Sequence, residues 1–340
     1  MKKIVTFGEI MLRLGPPGFE RFTQAHTFEV IYGGAEANVA ISLAHFGEAT
    51  EYVTRLPHND LAEACLGSLR RHRVGTDHVL RGGDRLGIYF VEKGAAQRGS
   101  KVIYDRAGSS FAALEPGMID WPAAFADADW FHWSGITPAL TPTAAAACRE
   151  AITIAQSLGL TISCDLNYRH ALWKWGKSSA EVMPELVAMG DIVIGNPETV
   201  ETMFGIKAPD LADDAGEQTR FVAEQLAARC PKLTTIAFTA RESHSASHNL
   251  WSAALWQAGQ FYIGPSYNLT PIIDRIGGGD AFTAGLIYGL RRRPDEPLYA
   301  LRFATAAACL KHTIPGDNNL VTVAEVEQLM SGDGSGRISR

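Results

Sequence analysis

The sequence predicts an α/β protein in which a mostly parallel sheet is covered by helices on both faces. Apolar strand-like runs alternate with segments of helical periodicity through most of the 340 residues. This alternation is typical of βαβ units, in which a helix follows each parallel strand. Two stretches, residues 10–31 and 86–106, instead carry period-two patterns. We therefore expect a small additional sheet, and ligands beyond the carboxyl ends of the main strands.

The elements follow one another in a regular order. Strands are predicted near residues 3–8, 52–54, 130–133, 160–164, 191–194 and 234–239, and helices near 35–46, 59–73, 142–158, 179–189, 197–204 and 214–229. A β-rich run ends at Ile272-Ile273, and a last helical pattern begins at Ala281. We treat residues 1–330 as one domain. Residues 331–340 are polar and Gly-rich, and we expect them to be disordered.

The two interrupting stretches form the predicted small sheet. Segments 87–91 and 101–104 alternate in polarity and are separated by the polar turn 93–100, as in a hairpin. We interpret this sheet as a lid, because a closing lid excludes water from a reaction that water would spoil. An edge hairpin without a gating role would explain the same pattern.

Composition excludes several classes of protein. The formal net charge of −6 gives no broad basic field, which argues against general nucleic-acid binding. The five cysteines are scattered without a Cys-x-x-Cys pair, so a disulfide framework or structural zinc site is not expected and a reducing compartment fits. No signal-peptide pattern and no membrane-spanning run is present. We expect a soluble cytoplasmic protein without a membrane partner.

The most informative stretch is Asp274-Arg275-Ile276-Gly277-Gly278-Gly279-Asp280-Ala281-Phe282. Three adjacent glycines leave their N–H groups open to an anion, and the helix that follows adds the partial positive charge of its N-terminus. Asp280 could accept a proton from a substrate hydroxyl beside that anion. A loop followed by an N-cap aspartate explains the same letters. The stretch is not a Walker A loop.

A glycine pair opens the first long helix, in Gly33-Gly34-Ala35-Glu36-Ala37-Asn38. The glycines permit close approach of a ligand to the backbone, and Asn38 offers a donor and an acceptor to a hydroxyl. A tight strand-to-helix turn with a solvated Asn would look the same.

Together, the two stretches resemble the C-terminal and N-terminal signatures of the ribokinase (PfkB) carbohydrate kinase family, and the resemblance extends from about Ile4 to Met330. Arg275 and Gly278 replace the usual Thr and Ala, as in the family's 2-keto-3-deoxygluconate kinase branch. The resemblance implies a ribokinase-like three-layer α/β/α fold with a β-strand lid. It also implies that Asp280 is the catalytic base and that Gly277, Gly278 and Gly279 form the anion hole.

Further roles follow from the same resemblance. It implies ATP and Mg²⁺ as cofactors, phosphorylation of a sugar acid at its 6-hydroxyl, and a homo-oligomer, either a dimer through the lid strands or a larger assembly. A monovalent cation is possible, with Asp274 as a contributor by family position. The implied substrate-binding residues are Gly34, Asn38, Tyr89, Tyr104, Arg106 and Arg169. A guanidinium fork suits a carboxylate, although an isolated Arg is usually a solvated surface residue.

The nucleotide residues depart from the family pattern. Asn196-Pro197-Glu198-Thr199 carries Thr where the family has Glu, so Glu198 is assigned to magnesium through water, with Glu201 as the alternative. An Asn-Pro helix start explains these letters equally well. A nucleotide-binding turn is expected after the strand that ends at Thr239, formed by Thr239, Arg241, Glu242 and Ser243. Residues 311–317 are expected in the adenine pocket.

Two other functions remain open. A kinase for a neutral sugar of the fructose or ribose type would keep Asp280 and would not need Arg106 and Arg169. A catalytically silent sugar-binding relative is the other alternative, and Thr199 and Arg241 keep it open.

Overall fold

The structure is a computed structural model that describes residues 2–209 and 215–332. Its strands, in chain order, are β1 (Lys3–Phe7), β2 (Met11–Gly15), β3 (Glu29–Gly33), β4 (Thr50–Val53), β5 (Arg55–Leu56), β6 (Leu80–Arg81), β7 (Ile88–Glu92), β8 (Lys101–Asp105), β9 (Ala128–Ser134), β10 (Thr161–Asp165), β11 (Ile192–Gly195), β12 (Thr235–Ser245), β13 (His248–Gln257), β14 (Gln260–Ile263) and β15 (Tyr267–Leu269). Its helices are α1 (Ala35–His45), α2 (Asp60–Arg71), α3 (Trp121–Ala124), α4 (Ile136–Leu140), α5 (Pro142–Ser157), α6 (Ser179–Val187), α7 (Pro197–Phe204), α8 (Ala215–Arg229), α9 (Gly278–Arg292), α10 (Pro297–Lys311) and α11 (Val323–Met330).

Several helix starts follow from local side-chain chemistry. Asn59, Thr141 and Asn196 precede α2, α5 and α7, and each side chain accepts a hydrogen bond from an amide of the first turn. At α11, Thr322 and Glu325 form a reciprocal capping box. These caps satisfy amides that would otherwise lack partners, so the sequence fixes where these helices begin.

The main sheet has the order β14-β13-β12-β11-β10-β9-β1-β4, with β15 paired to β13. The pairs from β4 to β12 are parallel, and β13 pairs antiparallel with β12, β14 and β15. The chain places β4 on one side of β1 and β9 on the other. The strand order therefore reverses at β1, which is where open α/β sheets bind ligands.

Apolar side chains of the main sheet pack on both faces. On one face, Ile4 and Ile194 belong to a buried cluster with residues of α1, α9, α10 and α11. On the other, Val5 and Val193 pack with α3, α5, α6, α7 and α8. Alternate residues of one strand thus point to opposite helical layers. This is the three-layer α/β/α arrangement, and the predicted fold class is confirmed.

A separate four-stranded sheet has the order β3-β2-β7-β8. Its strands fall within the predicted segments 10–31 and 86–106, apart from the end of β3. The β7–β8 hairpin turn touches the β12–β13 turn, where the Ala246 amide donates to the Ala96 carbonyl at 2.7 Å. At the end of β7, Lys93 Nζ lies 3.8 Å from Asp274 Oδ2. The small sheet therefore covers the carboxyl edge of the main sheet. Its role as a lid stays a prediction, as does the assignment of residues 1–330 to one domain.

The structure corrects three sequence predictions. The expected nucleotide turn at 239–243 is part of β12, which continues to Ser245, because its polar residues pair with β13 in a long exposed hairpin. The β-rich run ends at Leu269 rather than Ile273, before the cis Thr270–Pro271 bond. Helix α9 begins at Gly278 rather than Ala281, so two of the three glycines are helical.

In the part of the chain that is described, none of the helices has the length and apolar character needed to cross a bilayer. Of the tail predicted to be disordered, residues 333–340 lie outside the described residues.

Candidate active site

A cleft with a volume of about 1070 Å³ lies at the carboxyl ends of β1, β9, β10, β11 and β12. One end is lined by β7 and β8 residues such as Tyr89 and Tyr104, and we call it the small-sheet end. The other is lined by residues of the β12–β13 hairpin, including Thr239 and Ala253, and we call it the hairpin end. The loop before α9 lies between them. It contacts the hairpin through Arg275, whose Nη2 donates to the Ala246 carbonyl at 2.9 Å.

Gly277 shapes the turn into α9. It is the N-cap residue, with a φ of 83° in the left-handed region, and an added Cβ would collide with the main-chain oxygen of Asp317. Both the conformation and the space require glycine here. Gly278 packs against His312, whereas no atom lies within 4 Å of a Cβ at Gly279. The first-turn amides of α9 therefore face the cleft with the helix dipole behind them, a geometry suited to an anion.

Asp280 lies in the first turn of α9, deep in the cleft with part of its surface open to the cavity. The Asn38 amide, from α1, donates to its Oδ2 at 2.7 Å. Separation from bulk water raises the pKa of Asp280 to about 7, against the lowering effect of the Asn38 hydrogen bond. A carboxyl with this pKa is suited to accept a proton near neutral pH. Asn38, predicted to bind substrate, thus also orients Asp280.

Two further carboxyls that we did not predict line the same cleft. Glu36 is buried in the first turn of α1 and accepts a hydrogen bond from Ser134; burial raises its pKa to about 7. Asp165, at the end of β10, accepts from the Asn167 amide at 3.0 Å; loss of solvent raises its pKa to about 6. The sequence offered a signal for each: Glu36 follows the glycine pair, and Asp165 stands at the end of a strand, where ligand-binding residues are common.

Four of the predicted substrate residues meet at the small-sheet end. Gly34 caps α1, and an added Cβ would collide with the Glu9 carbonyl, so no larger residue fits. The Tyr89 and Tyr104 rings stack at 6.0 Å. Arg106 lies 5.8 Å from the Tyr104 ring centroid and is buried in an ion pair with Glu9, to which its Nε donates at 2.8 Å. Glu9 therefore already holds one edge of this guanidinium.

Arg169 is in a different state from Arg106. It is exposed and lines the cleft, and its Nη1 donates to the Tyr168 carbonyl at 3.0 Å. Among the described residues its other donors have no hydrogen-bond or ion-pair partner, so it can approach a ligand without giving up an ion pair. This makes Arg169 the more available partner for a carboxylate.

Behind the small-sheet end lies a buried ion cluster that sequence reasoning missed. Arg13 pairs with Asp274, with Nη2 at 2.8 Å from Oδ2, and with Asp317, which also accepts from the Tyr89 hydroxyl. Asp274 was a possible contributor to a monovalent-cation site. In the structure Arg13 contacts its carboxylate and Lys311 its carbonyl.

Only some of the residues predicted to bind the nucleotide line the same end of the cleft. Asn196, Glu198, Thr239 and Arg241 line the hairpin end of the cleft. Glu242 and Ser243 lie on exposed parts of β12 and do not line the cleft, because the segment is strand rather than turn. Residues 311–317 were expected at the adenine pocket. Lys311 and His312 are instead buried, and Asp317 faces the small-sheet end.

A magnesium ion fits the hairpin end only if the phosphates of the nucleotide supply part of its ligands. Among the described residues, no group of three or more His, Cys, Asp or Glu side chains is placed to hold a metal. Magnesium in phosphoryl-transfer enzymes keeps several waters and takes its other ligands from phosphates and one or two carboxylates. The exposed Glu198 in the first turn of α7 lines this end of the cleft and fits a carboxylate that would contact such an ion through one of its waters.

Comparison with known proteins agrees with this geometry. Residues 1–323 match the pfkB family carbohydrate kinase model. The crystal structure of 2-dehydro-3-deoxygluconokinase from Thermotoga maritima is 43% identical, with a TM-score of 0.92 over 97% of this chain and 98% of that chain.

Two curated relatives extend the comparison. A 2-dehydro-3-deoxygalactonokinase of Haloferax volcanii is 32% identical over 339 residues, with 98% of each chain covered. A 5-dehydro-2-deoxygluconokinase of Shouchella clausii is 26% identical over 333 residues, or 96% of this chain and 95% of the relative. The family match spans nearly the whole sequence, and the chain belongs to the pfkB family of carbohydrate kinases.

Proposed function

We propose that this kinase transfers the γ-phosphoryl group of ATP to the 6-hydroxyl of 2-keto-3-deoxygluconate, the sugar acid also named 2-dehydro-3-deoxygluconate. The observation that carries the proposal is Asp280, which lies deep in the cleft beside the glycine amides with a pKa raised to about 7. The names of the relatives, all kinases of dehydro-deoxy sugar acids, support the substrate class.

In the proposed step, the substrate oxygen attacks the γ-phosphorus while the bond to the β–γ bridging oxygen breaks and ADP leaves. The hydroxyl proton passes to the Asp280 carboxylate, which Asn38 holds in place at 2.7 Å. The amides of Gly277, Gly278 and Gly279, at the N-terminus of α9, donate to the transferring group and offset its charge. Magnesium, when bound, offsets charge on the triphosphate.

Recognition of an acid sugar is assigned to the arginines of the small-sheet end. Arg169 is exposed in the cleft and free to form a two-pronged contact with the substrate carboxylate. Arg106, held by Glu9, offers its remaining edge and positions the Tyr104 ring. A neutral sugar would leave Arg169 without its ligand.

Binding of the nucleotide phosphates is assigned to two arginines of the hairpin end. Arg241 and Arg275 line the cleft, and burial together with the charge of Arg241 lowers the pKa of Arg275. Two guanidinium groups that repel each other are both stabilised by a polyphosphate placed between them. Thr239 and Asn196 line the same end.

The small sheet also offers a surface for self-association. Strand β8 is an edge strand, and its Val102, Ile103 and Tyr104 are 43%, 53% and 46% exposed. An exposed apolar edge strand tends to pair with another chain, and we propose a dimer through this edge. Ile103→Glu should give a monomer in solution scattering, with Lys177→Glu, on an exposed loop, as the control. A monomeric wild type would contradict the dimer.

The function is tested by ATP consumption on a panel of sugars: 2-keto-3-deoxygluconate, its galactonate epimer, fructose, ribose and gluconate. Wild type should turn over the keto-deoxy acids, and Asp280→Asn should lose about 10²- to 10⁴-fold, the range for general-base catalysis. Asp295→Asn, an exposed aspartate beyond α9, is the control and should keep full activity. Turnover of Asp280→Asn at the wild-type rate would refute the base.

Substrate class is tested separately with Arg169→Gln. The acid-sugar KM should rise while any activity on fructose stays unchanged; the exposed Arg302→Gln on α10 is the control. A preference for fructose or ribose in wild type would favour the neutral-sugar kinase. Sugar binding without turnover would favour a silent relative.

A further inference from the structure

Lys311 is a buried lysine that the proposed chemistry does not use. It is the last residue of α10, and its side chain is 0% exposed. Its Nζ donates to the main-chain oxygen of Ile314 at 3.2 Å and to that of Asp274 at 3.4 Å. Lysine is almost never fully buried unless its charge is compensated, so the surroundings of this ammonium must stabilise it.

The ammonium lies directly behind the glycine turn. The Lys311 Cε would be 3.3 Å from a Cβ at Gly277, so the lysine stem packs against the N-cap of α9. The same loop is joined to the end of α10 by the Ile273 amide, which donates to the His312 carbonyl at 2.8 Å. Lys311 thus connects the segment Asp274–Gly277 with the turn that follows α10.

The charges around Lys311 explain why a cation belongs there. Arg13, Asp274 and Asp317 form a buried cluster with one positive and two negative groups. Two lysines add further positive charge beside it: the partly exposed Lys93, with its Nζ 3.8 Å from Asp274 Oδ2, and the fully buried Lys311. Burial lowers the pKa of Lys311, and the Asp274 and Asp317 carboxylates offset only part of that lowering. Without Lys311, the main-chain oxygens of Asp274 and Ile314 would lose this donor and leave partial negative charge behind the turn that must receive an anion.

We propose that the Lys311 ammonium is a built-in cation that holds the Asp274–Gly277 loop in its anion-binding form, so that the kinase needs no monovalent metal ion. Main-chain oxygens are ligands that a potassium or sodium ion would use, and here the Lys311 ammonium already binds to those of Asp274 and Ile314. Lys311 is a positioning residue that touches neither substrate nor nucleotide. The proposal rests on the proposed function for its kinetic readout and has a second readout that does not.

The first test uses wild-type enzyme with magnesium and ATP as its tetramethylammonium salt, a cation too large for the site. Adding K⁺, Na⁺ or NH₄⁺ should leave kcat unchanged. In Lys311→Ala, kcat should fall by about 100-fold, the cost of displacing a catalytic group by about 1 Å, and K⁺ or NH₄⁺ should restore much of it. Lys311→Met fills the space with an uncharged side chain, so it should be equally slow and not restored.

The second test needs no turnover. A ligand that binds only the folded state raises the melting temperature. K⁺ should therefore raise the melting temperature of Lys311→Ala above its value in tetramethylammonium, and leave wild type and Lys311→Met unchanged. Lys177→Ala, an exposed lysine, is the matched control.

Each opposite result would overturn the proposal. Stimulation of wild type by K⁺ would show that Lys311 does not replace a metal ion. A folded Lys311→Ala that no cation reactivates or stabilises would show that the lysine only fills space. If wild type phosphorylates no sugar, the proposed function fails, and the melting experiment still decides the role of Lys311.

Discussion

Replacing Asn38 by leucine should move the pH dependence of catalysis upward. The Asn38 amide donates to Asp280 Oδ2 at 2.7 Å and lowers the pKa of a carboxyl that its deep position otherwise raises. Leucine has nearly the same shape and no donor. The carboxylate therefore loses stabilisation, and a higher pH is needed to ionise the base.

The size of the shift follows from the type of hydrogen bond. A bond to a charged group contributes about 1.5–3 kcal/mol, and 1.36 kcal/mol corresponds to one pH unit, so the midpoint should rise by about one to two units. Wild type, with Asp280 near a pKa of about 7, is half ionised at neutral pH. The variant should be about 5- to 50-fold slower at pH 7 and should recover as pH rises.

The assay is the pH profile of kcat/KM for the sugar from about pH 5.5 to 9.5, backed by single-turnover rates where product release limits kcat. Ser42→Ala is the matched control, because it removes a buried hydroxyl one turn further along α1 that has no hydrogen-bond partner among the described residues. Its midpoint should not move. An Asn38→Leu profile that is lower at every pH with an unchanged midpoint would refute our reasoning about the Asp280 pKa.

Three predictions concern stability. Burial raises the Asp280 pKa to about 7, so wild type loses stability as pH rises from about 4 to 7, and Asp280→Asn should be more stable than wild type by about 4 kcal/mol at pH 8 and by only about 1.5 kcal/mol at pH 5. Urea titrations at both pH values measure this, and an equal difference at both would contradict it. Gly289→Ala should cost about 1–3 kcal/mol, because its Cβ would lie 2.5 Å from Ala300 Cα where α9 packs on α10. Gly67→Ala on α2 has open space and should gain about 0.5 kcal/mol, so equal thermal shifts for the two would count against close packing. Arg13→Met leaves two buried carboxylates without their partner and should lower the free energy of unfolding by about 3–5 kcal/mol; a loss below 1 kcal/mol would show that they are paired elsewhere.

The sequence predicted the parts of the fold that depend on local patterns. Alternating strand and helix periodicity gave the α/β class, and the period-two segments gave the small sheet, because both signals lie within a single element. The glycine turn was recognisable for a similar reason. Gly277 has a left-handed backbone that few other residues adopt, so a glycine at this place before a helix predicted a tight turn.

The errors arose where the deciding contact is remote in sequence. Thr239 to Ser243 looked like a turn because the segment is polar, yet its pairing partner β13 keeps it extended. Nothing local distinguishes an exposed hairpin from a loop in such a segment. The start of α9 was placed late because glycine is a weak helix former, whereas here close packing on Asp317 and His312 requires it.

The carboxyls of the cleft were missed for a related reason. Glu36 and Asp165 acquire raised pKa values only when distant elements close over them. Arg13 meets Asp317 across 304 positions of sequence, and no spacing rule predicts such a pair. Composition and periodicity predict which face of a single helix or strand is buried. The chemistry of this cleft depends on which helices and strands contact one another in the fold.

The contact between the two hairpin turns joins the two ends of the cleft mechanically. Because the Ala246 amide is bonded to the Ala96 carbonyl, the small sheet cannot swing away without breaking a bond to the strand pair that borders the hairpin end. If the sugar and the nucleotide bind as proposed and both favour the closed arrangement, each tightens binding of the other by the same factor. The contact between the two turns would then make the two substrates thermodynamic partners across the length of the cleft.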